Sequence, residues 1–297
     1  MKKIYCLVIT ILLFSCSKEL DPQEVGLLMS DTEVVNGMTV HWQNYMTEER
    51  RQVIRDILND MVLVEGGIFT MGTSRVYDSL ARDNESPQHI VRVSNFYICA
   101  HELSYHQVNA IMPVTRSSNI RDYNYQYLFF SWDDWSSVLF SMKDMTGITF
   151  DFPTEAQWEY VARGGNKSNN YLFPGSNVLS AAWSSELFEN NTSLPNELGM
   201  YNMADKNAEW CKDYYQSYIV TAMVDNPCVM TGKDHVVRGG CHISSSEYKH
   251  WYSSTSSTYM SFSNSLVDWR MCRSTARCYY SQRSWDIGCR PVINISR

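Results

Sequence analysis

Residues 152–165 read FPTEAQWEYVARGG, and no other stretch of the chain restricts its folding so tightly. Thr154 stands three residues before Gln157. At that spacing a threonine hydroxyl accepts the N3 backbone N–H while the glutamine side chain reaches back to the cap residue, so a helix starts here. Trp158, Val161 and Ala162 follow at i, i+3 and i+4 and share one face of it. Gly164 and Gly165 then supply the left-handed positions on which helices end.

Similar signals place other elements. Thr47, followed by Glu48 and Glu49, opens a helix carrying Val53, Ile54, Ile57, Leu58 and Met61 at helical spacing. Alternation in Val62, Val64, Ile68 and Met71 around Glu65-Gly66-Gly67 predicts a hairpin, and HIVRVSNFYI at 89–98 predicts a third strand; the polar stretch 73–88 is a loop. Ser104 with Gln107 caps a helix bearing Val108, Ile111 and Met112. Ser131 with Asp134 caps another bearing Trp135, Val138, Leu139 and Met142, closed by Gly147. Beyond Gly165 the periodicity fades, and Gly, Asn, Ser and aromatic residues dominate.

Three further blocks stand in order with the first: MVLVEGGIFTMG at 61–72, NELGMYNMADKNAEW at 196–210, and VVRGG at 236–240 with IGCRPV at 287–292. Together the four blocks resemble the formylglycine-generating-enzyme, or sulfatase-modifying-factor, domain, over about 230 residues. The resemblance implies an α+β fold of C-type-lectin-like type, loop-rich, with short antiparallel strands and a few helices. It does not by itself carry the family's activity.

The N-terminus predicts a removable export signal. Met1-Lys2-Lys3 precedes an apolar run from Ile4 to Phe14, too short to span a bilayer, and Leu13-Phe14-Ser15-Cys16 resembles a bacterial lipoprotein site with Cys16 as the lipid acceptor. The expected organisation is a signal at 1–15, a lipid-anchored tether at 16–46 and one folded domain at 47–297. Lipid would be the membrane attachment, and Glu19, Asp21 and Glu24 after Cys16 favour an outer-membrane lipoprotein displayed on the surface. Loss of Lys2 and Lys3 takes the net charge from -7 to about -9, which excludes nucleic acid as a natural partner. Of nine cysteines, seven remain after Cys6 and Cys16 are set aside; one to three disulfides are compatible with export, and at least one thiol stays unpaired.

The resembled enzymes hold copper between two cysteines spaced C-x4-C shortly after RGG. Counting forward from Arg238-Gly239-Gly240 puts Ser244 and Lys249 at those positions; counting back from Arg277 puts Asn264 and Trp269 there. None is a thiolate, the ligand that soft Cu(I) requires, so no catalytic residue and no copper are assigned. Cys272 and Cys278, spaced C-x5-C, read as buried thiols or a disulfide; an oxidase working through them, of the sulfatase-modifying kind, is the alternative. Calcium in the family sits at a turn matched here by 205–210. Asn207 and Glu209 are its weak candidates, and Lys206 is a built-in cation able to neutralise Glu209. The family's sulfoxide synthases need an additional iron-bearing helical bundle for which there is no room. The seven histidines show no metal-hydrolase spacing, and there is no G-x-S-x-G elbow.

Between Cys241 and Asp286 lie Tyr248, Trp251, Tyr252, Tyr259, Trp269, Tyr279, Tyr280 and Trp285 among thirteen serines, with Arg283 nearby. Rigid aromatic area mixed with small hydroxyls suits a recognition surface, although about half of such rings are expected to pack the core. The layout is similar to that of lectin-fold proteins diversified near a C-terminal motif like IGCRPVI. The reading that follows is a non-catalytic, lipid-anchored envelope protein that binds a protein or glycan through these loops. A structural lipoprotein of a secretion or gliding machine is a further alternative.

Overall fold

A computed structural model describes residues 31–113, 128–178, 194–204, 207–220, 223–240, 259–262 and 265–295. The chain is a mixed α+β domain of few helices and short strands. Helix α1 (Glu48–Asp60) begins at Thr47, whose hydroxyl accepts the Arg50 N–H. Helices α2 (Tyr105–Ile111) and α3 (Trp132–Thr146) carry the capping boxes expected at Ser104/Gln107 and Ser131/Asp134, and Gly147 ends α3 at φ 73°. Helix α4 (Glu155–Ala162) has the Thr154/Gln157 box, with Gly164 and Gly165 at positive φ behind it.

The expected hairpin about Glu65-Gly66-Gly67 does not form. Strand β3 (Met61–Val64) pairs with β6 (Phe96–Cys99), and β4 (Gly67–Met71) pairs with β5 (His89–Val93). The registers run Val64↔Phe96 and then Gly67↔Val93, so 61–71 and 89–99 make one long antiparallel ribbon bent at 65–66 and 94–95. Alternation identifies a strand but not its partner. Glycine is required at the bend because a Cβ on Gly66 would stand 2.1 Å from the Val93 carbonyl oxygen. The Gly66 N–H donates instead to Asn95 Oδ1 at 2.9 Å.

Each half of the ribbon gains a third strand. β14 (Val292–Asn294) joins β6, and β8 (Val224–Asp225) joins β5 in parallel. A separate four-stranded sheet has the order β12 (Arg277–Tyr280), β9 (His235–Arg238), β7 (Ala208–Tyr214) and β13 (Ile287–Gly288). Strands β10 (Tyr259–Phe262) and β11 (Ser265–Asp268) form a hairpin of their own. Helix α4 lies against β4, β5, β7 and β9, and buries Trp158, Val161 and Ala162 in one apolar core with Val91, Phe96, Ile98 and Val236. A second core joins α1, α2 and α3 to Trp210, Val237 and Ile287. Among the described residues no helix is long and apolar enough to cross a membrane.

Part of the stretch 16–46, expected to be tether, is folded. Residues 31–42 form a hairpin, β1 (Asp31–Val35) and β2 (Met38–Trp42), turning at Asn36 and Gly37 with φ of 48° and 77°. The Asn-Gly pair between alternating apolar residues was the available signal for it. Val40 and Trp42 are fully buried, Trp42 Nε1 donates to Glu33 Oε2 at 2.9 Å, and the Arg51 and Arg55 guanidinium carbons each lie 5.5 Å from the Trp42 ring centroid. This hairpin is part of the fold. Trp42→Ala should cost about 3–5 kcal/mol in urea unfolding, and a chain starting at residue 47 should melt well below one starting at residue 31; a loose tether would leave both unchanged.

Candidate functional site

Helix α4 is buried on every side, so its polar face meets charge instead of water. Glu155 receives Arg277 through Nε and Nη2, both at 2.7 Å, and Arg238 Nε stands 3.1 Å from Glu155 Oε1. One turn on, Glu159 pairs with Arg238 Nη2 at 2.5 Å and Arg163 Nη2 at 2.8 Å, and accepts the Gly72 N–H at 2.8 Å. Burial alone would raise the Glu159 carboxyl, but Arg163 and Arg238 outweigh it and hold it below the usual carboxylate range. A second buried set joins Arg273 to Glu85 and to Asp78, and a third places Arg290 on Glu209. Arg238 is the arginine of the VVRGG motif. The acidic i, i+4 pair at Glu155 and Glu159 was the sequence signal for this network, and helical periodicity alone passed over it. Glu159→Gln should cost about 3–5 kcal/mol by leaving buried arginine charge unmatched; denaturant titration of Glu159→Gln against a remote surface Glu→Gln variant measures it.

The calcium candidates are placed by the third set. Glu209 accepts Arg290 Nε at 3.0 Å and Nη2 at 2.6 Å, and Trp158 Nε1 at 2.7 Å. The cation on Glu209 is therefore Arg290, from the IGCRPV block. Lys206, assigned that role from sequence, lies outside the described residues. Asn207 is buried; its Nδ2 donates to Glu102 Oε2 at 3.2 Å while its Oδ1 has no hydrogen-bond partner. A carboxylate already shared by a guanidinium and an indole does not fit a calcium ligand. Among the described residues no three His, Cys, Asp or Glu side chains gather as a metal site.

The six described cysteines are all free thiols, and of the two readings of Cys272 and Cys278 the structure has the buried thiols; Cys241 lies outside the described residues. Cys272 packs with Phe173 and Ala204, whereas Cys278 packs with Met271 and Ala276. Burial pushes the Cys278 thiol up to about 11 and Cys289 well above its ordinary value, so neither is a thiolate at neutral pH. Of the positions matching the family's copper ligands, Ser244, Lys249 and Asn264 lie outside the described residues. By residue type alone the four positions offer no sulfur.

Of the recognition residues, Tyr248, Trp251 and Tyr252 lie outside the described residues, Tyr259 is on β10, and Trp269 opens a short 3-10 turn. Of the remaining four, Tyr279 and Tyr280 are on the edge strand β12, and Arg283 and Trp285 lie in the segment that leads from it to β13 at the other edge. Tyr280 turns inward and tilts toward Trp210 with ring centroids 6.2 Å apart, whereas Tyr279 is 47% exposed and lies against Tyr215 at 4.5 Å. Strand alternation makes that division. Trp285, 39% exposed, stacks on Phe129, 42% exposed, at 5.0 Å and 30°. Arg283 donates to Asp134 Oδ1 in the first turn of α3 at 2.8 Å. Paired backbone hydrogen bonds between Phe130 and Ser284, 3.3 and 3.1 Å, fasten the two segments carrying the stacked rings. Phe129 was missed in the sequence, where Phe129-Phe130 gives no period to show which ring faces out.

Behind Tyr215 and Tyr218, a cavity of about 230 Å³ opens beside the start of α4. Met71, Val91, Val224 and Val229 contribute to its apolar wall, and Asp213 lies in its lining. The Asp213 carboxylate accepts the Glu155 N–H at 2.8 Å and the Val229 N–H at 2.9 Å. Burial, then the nearby Glu155 charge, pushes it up to about 6. An acid raised on folding supports the fold below its unfolded value near 3.8, and that support fades as pH rises through 6. Asp213→Asn should therefore lose an interaction at pH 4 and recover, relative to wild type, by about 3 kcal/mol by pH 7; paired urea titrations across that range test it.

An α+β domain in which a buried, arginine-bound helix supports short sheets and long loops is the architecture of the formylglycine-generating-enzyme-like, C-type-lectin-like class. The sequence profile of the sulfatase-modifying factor enzyme 1-like domain matches residues 47–294, and the chain belongs to that family. The formylglycine-generating enzyme of Mus musculus is 26% identical over 267 residues, which cover 66% of this chain and 69% of the mouse protein. Among solved structures, Treponema denticola variable protein 1 superposes with a TM-score of 0.58 at 16% identity, covering 89% of this chain and 98% of that one. PvdO from Pseudomonas aeruginosa gives 0.55 at 19% identity, covering 79% and 94%. These two likenesses establish the fold.

Proposed function

We propose that the protein is a non-catalytic, lipid-anchored envelope protein that binds a protein or glycan ligand through its aromatic C-terminal face. The observation that carries this reading is the exposed, stacked pair of Trp285 and Phe129, held by the Arg283–Asp134 ion pair and the Phe130–Ser284 bridge on a buried scaffold. Exposed flat rings on a rigid support gain contact area at little entropic cost and suit the apolar face of a sugar or a partner's side chains. In chain order the serine- and tyrosine-rich stretch 241–258 comes before β10 and β11, and β12, which carries the exposed Tyr279, comes before Trp285.

The lack of sulfur at the copper positions supports a binding role over oxidation, as do the separate, buried thiols of Cys272 and Cys278, the latter raised by burial. Cys16 is the proposed lipid site, and the outer membrane the proposed location. Purified protein screened against a glycan array and against purified envelope proteins should yield a ligand whose binding falls tenfold or more, about 1.4 kcal/mol, in Trp285→Ala and Phe129→Ala, with unfolding curves little changed. One-to-one Cu(I) binding that disappears in Cys272→Ser or Cys278→Ser would instead establish the oxidase reading.

A further inference from the structure

The cavity beside α4 contains a charge that the scaffold leaves unmatched. Asp213 lies on β7 and is 4% exposed. Its neighbours along the wall are committed elsewhere: Arg277 spends Nε and Nη2 on Glu155 and Nη1 on the Asn84 and Gln216 carbonyls, and Lys212, next in sequence, donates to Asp151 at 2.6 Å. His89 directs Nδ1 to the Pro87 carbonyl and sets its ring against Tyr218. Two backbone N–H groups and the Cys228 thiol reach the carboxylate, and among the described residues it forms no ion pair. A carboxylate has about four acceptor positions, so one remains for a donor entering from the cavity.

The walls define what such a donor must be attached to. Met71, Val91, Ala156 and Val229 supply apolar lining, and Ile219 and Val224, which also line the cavity, are exposed at 66% and 38%. Large apolar side chains concentrated at one opening mark a contact surface more than a solvated loop. A buried acid at the end of an apolar channel, with an apolar rim outside, matches a cation carried on an aliphatic stem that projects from a larger apolar surface.

We infer that this cavity is a docking site for a lysine side chain of a protein partner, with the ammonium on Asp213, the methylenes along Met71 and Val91, and the partner's flanking apolar residues on Ile219 and Val224. Neither Trp285 nor Phe129 lines this cavity, and the inference does not depend on what that stacked pair binds. The outer rim separates a protein lysine from a free amine, which would use the channel alone.

Isothermal titration of the full chain with four probes tests this. Pentylammonium and the peptide acetyl-Leu-Ala-Lys-Ala-Leu-amide should bind, and pentan-1-ol and the same peptide acetylated at the lysine Nε should bind at least about thirtyfold more weakly. Asp213→Asn should remove that preference for the charged probes. The double change Ile219→Ser, Val224→Ser should weaken the peptide and leave pentylammonium unaffected. Equal binding of the alcohol and the ammonium, or no binding of the ammonium, overturns the proposal. A rim change without effect on the peptide overturns its assignment to a protein partner. Because the ammonium and the alcohol are compared on the unaltered chain, the test stands even if Asp213→Asn does not fold.

Discussion

The fold turns on two carboxylates, Glu155 and Glu159, held inside the protein on a helix with no face in water. Removing such charges from solvent is costly unless every lone pair finds a donor, and the donors come from the rest of the chain. Arg238 arrives on β9, Arg277 on β12, Arg163 from the end of α4 and the Gly72 N–H from the end of β4. Each element that reaches the helix is thereby fixed in position and register. The apolar side of the same helix fills the core between the sheets. Ionic and hydrophobic faces of one short helix thus set the geometry together.

The functional faces follow from that anchoring. Strand β12 is pinned through Arg277 on its first residue, and alternation then sends Cys278 inward and Tyr279 outward. Arg290, on Glu209, holds the C-terminal block against the Cys99 and Ala100 carbonyls. The same pairing takes the carboxylate that the family's calcium turn would offer. Asp213 is the exception to this pattern of matched charge, since its partners are backbone amides and a thiol. A domain that neutralises its other buried acids with arginine and leaves this one open concentrates unspent electrostatic attraction at one cavity.

Much of the frame was legible in the residues. Four helix starts were readable because a cap is a local bond between neighbours in sequence, as at Thr154 with Gln157 or Ser131 with Asp134. Strand existence was readable for the same reason, but pairing was not: β3 and β4 are joined by a glycine pair that resembles a hairpin turn, yet each pairs with a strand from 89–99. The Asn36-Gly37 hairpin was passed over because charged residues surround it and its burial depends on Arg51, Arg55 and Met145. At the candidate site, Tyr279, Trp285 and Arg283 were identified by composition. Phe129 and Asp213 were not, since nothing nearby in sequence marks which side faces out or which charge lacks a partner.

By itself the sequence determined the family, the capped helices, the missing sulfur ligands and the aromatic bias of the C-terminal segment, because each of these depends on residue identity at short range. The tertiary structure decided which arginine meets which carboxylate, that Arg290 is a cation on Glu209, that the described thiols stand apart, and that one acid remains open to a cavity. Those outcomes depend on distances between residues as much as 195 positions apart, as with Arg273 and Asp78, and only chain packing sets such distances.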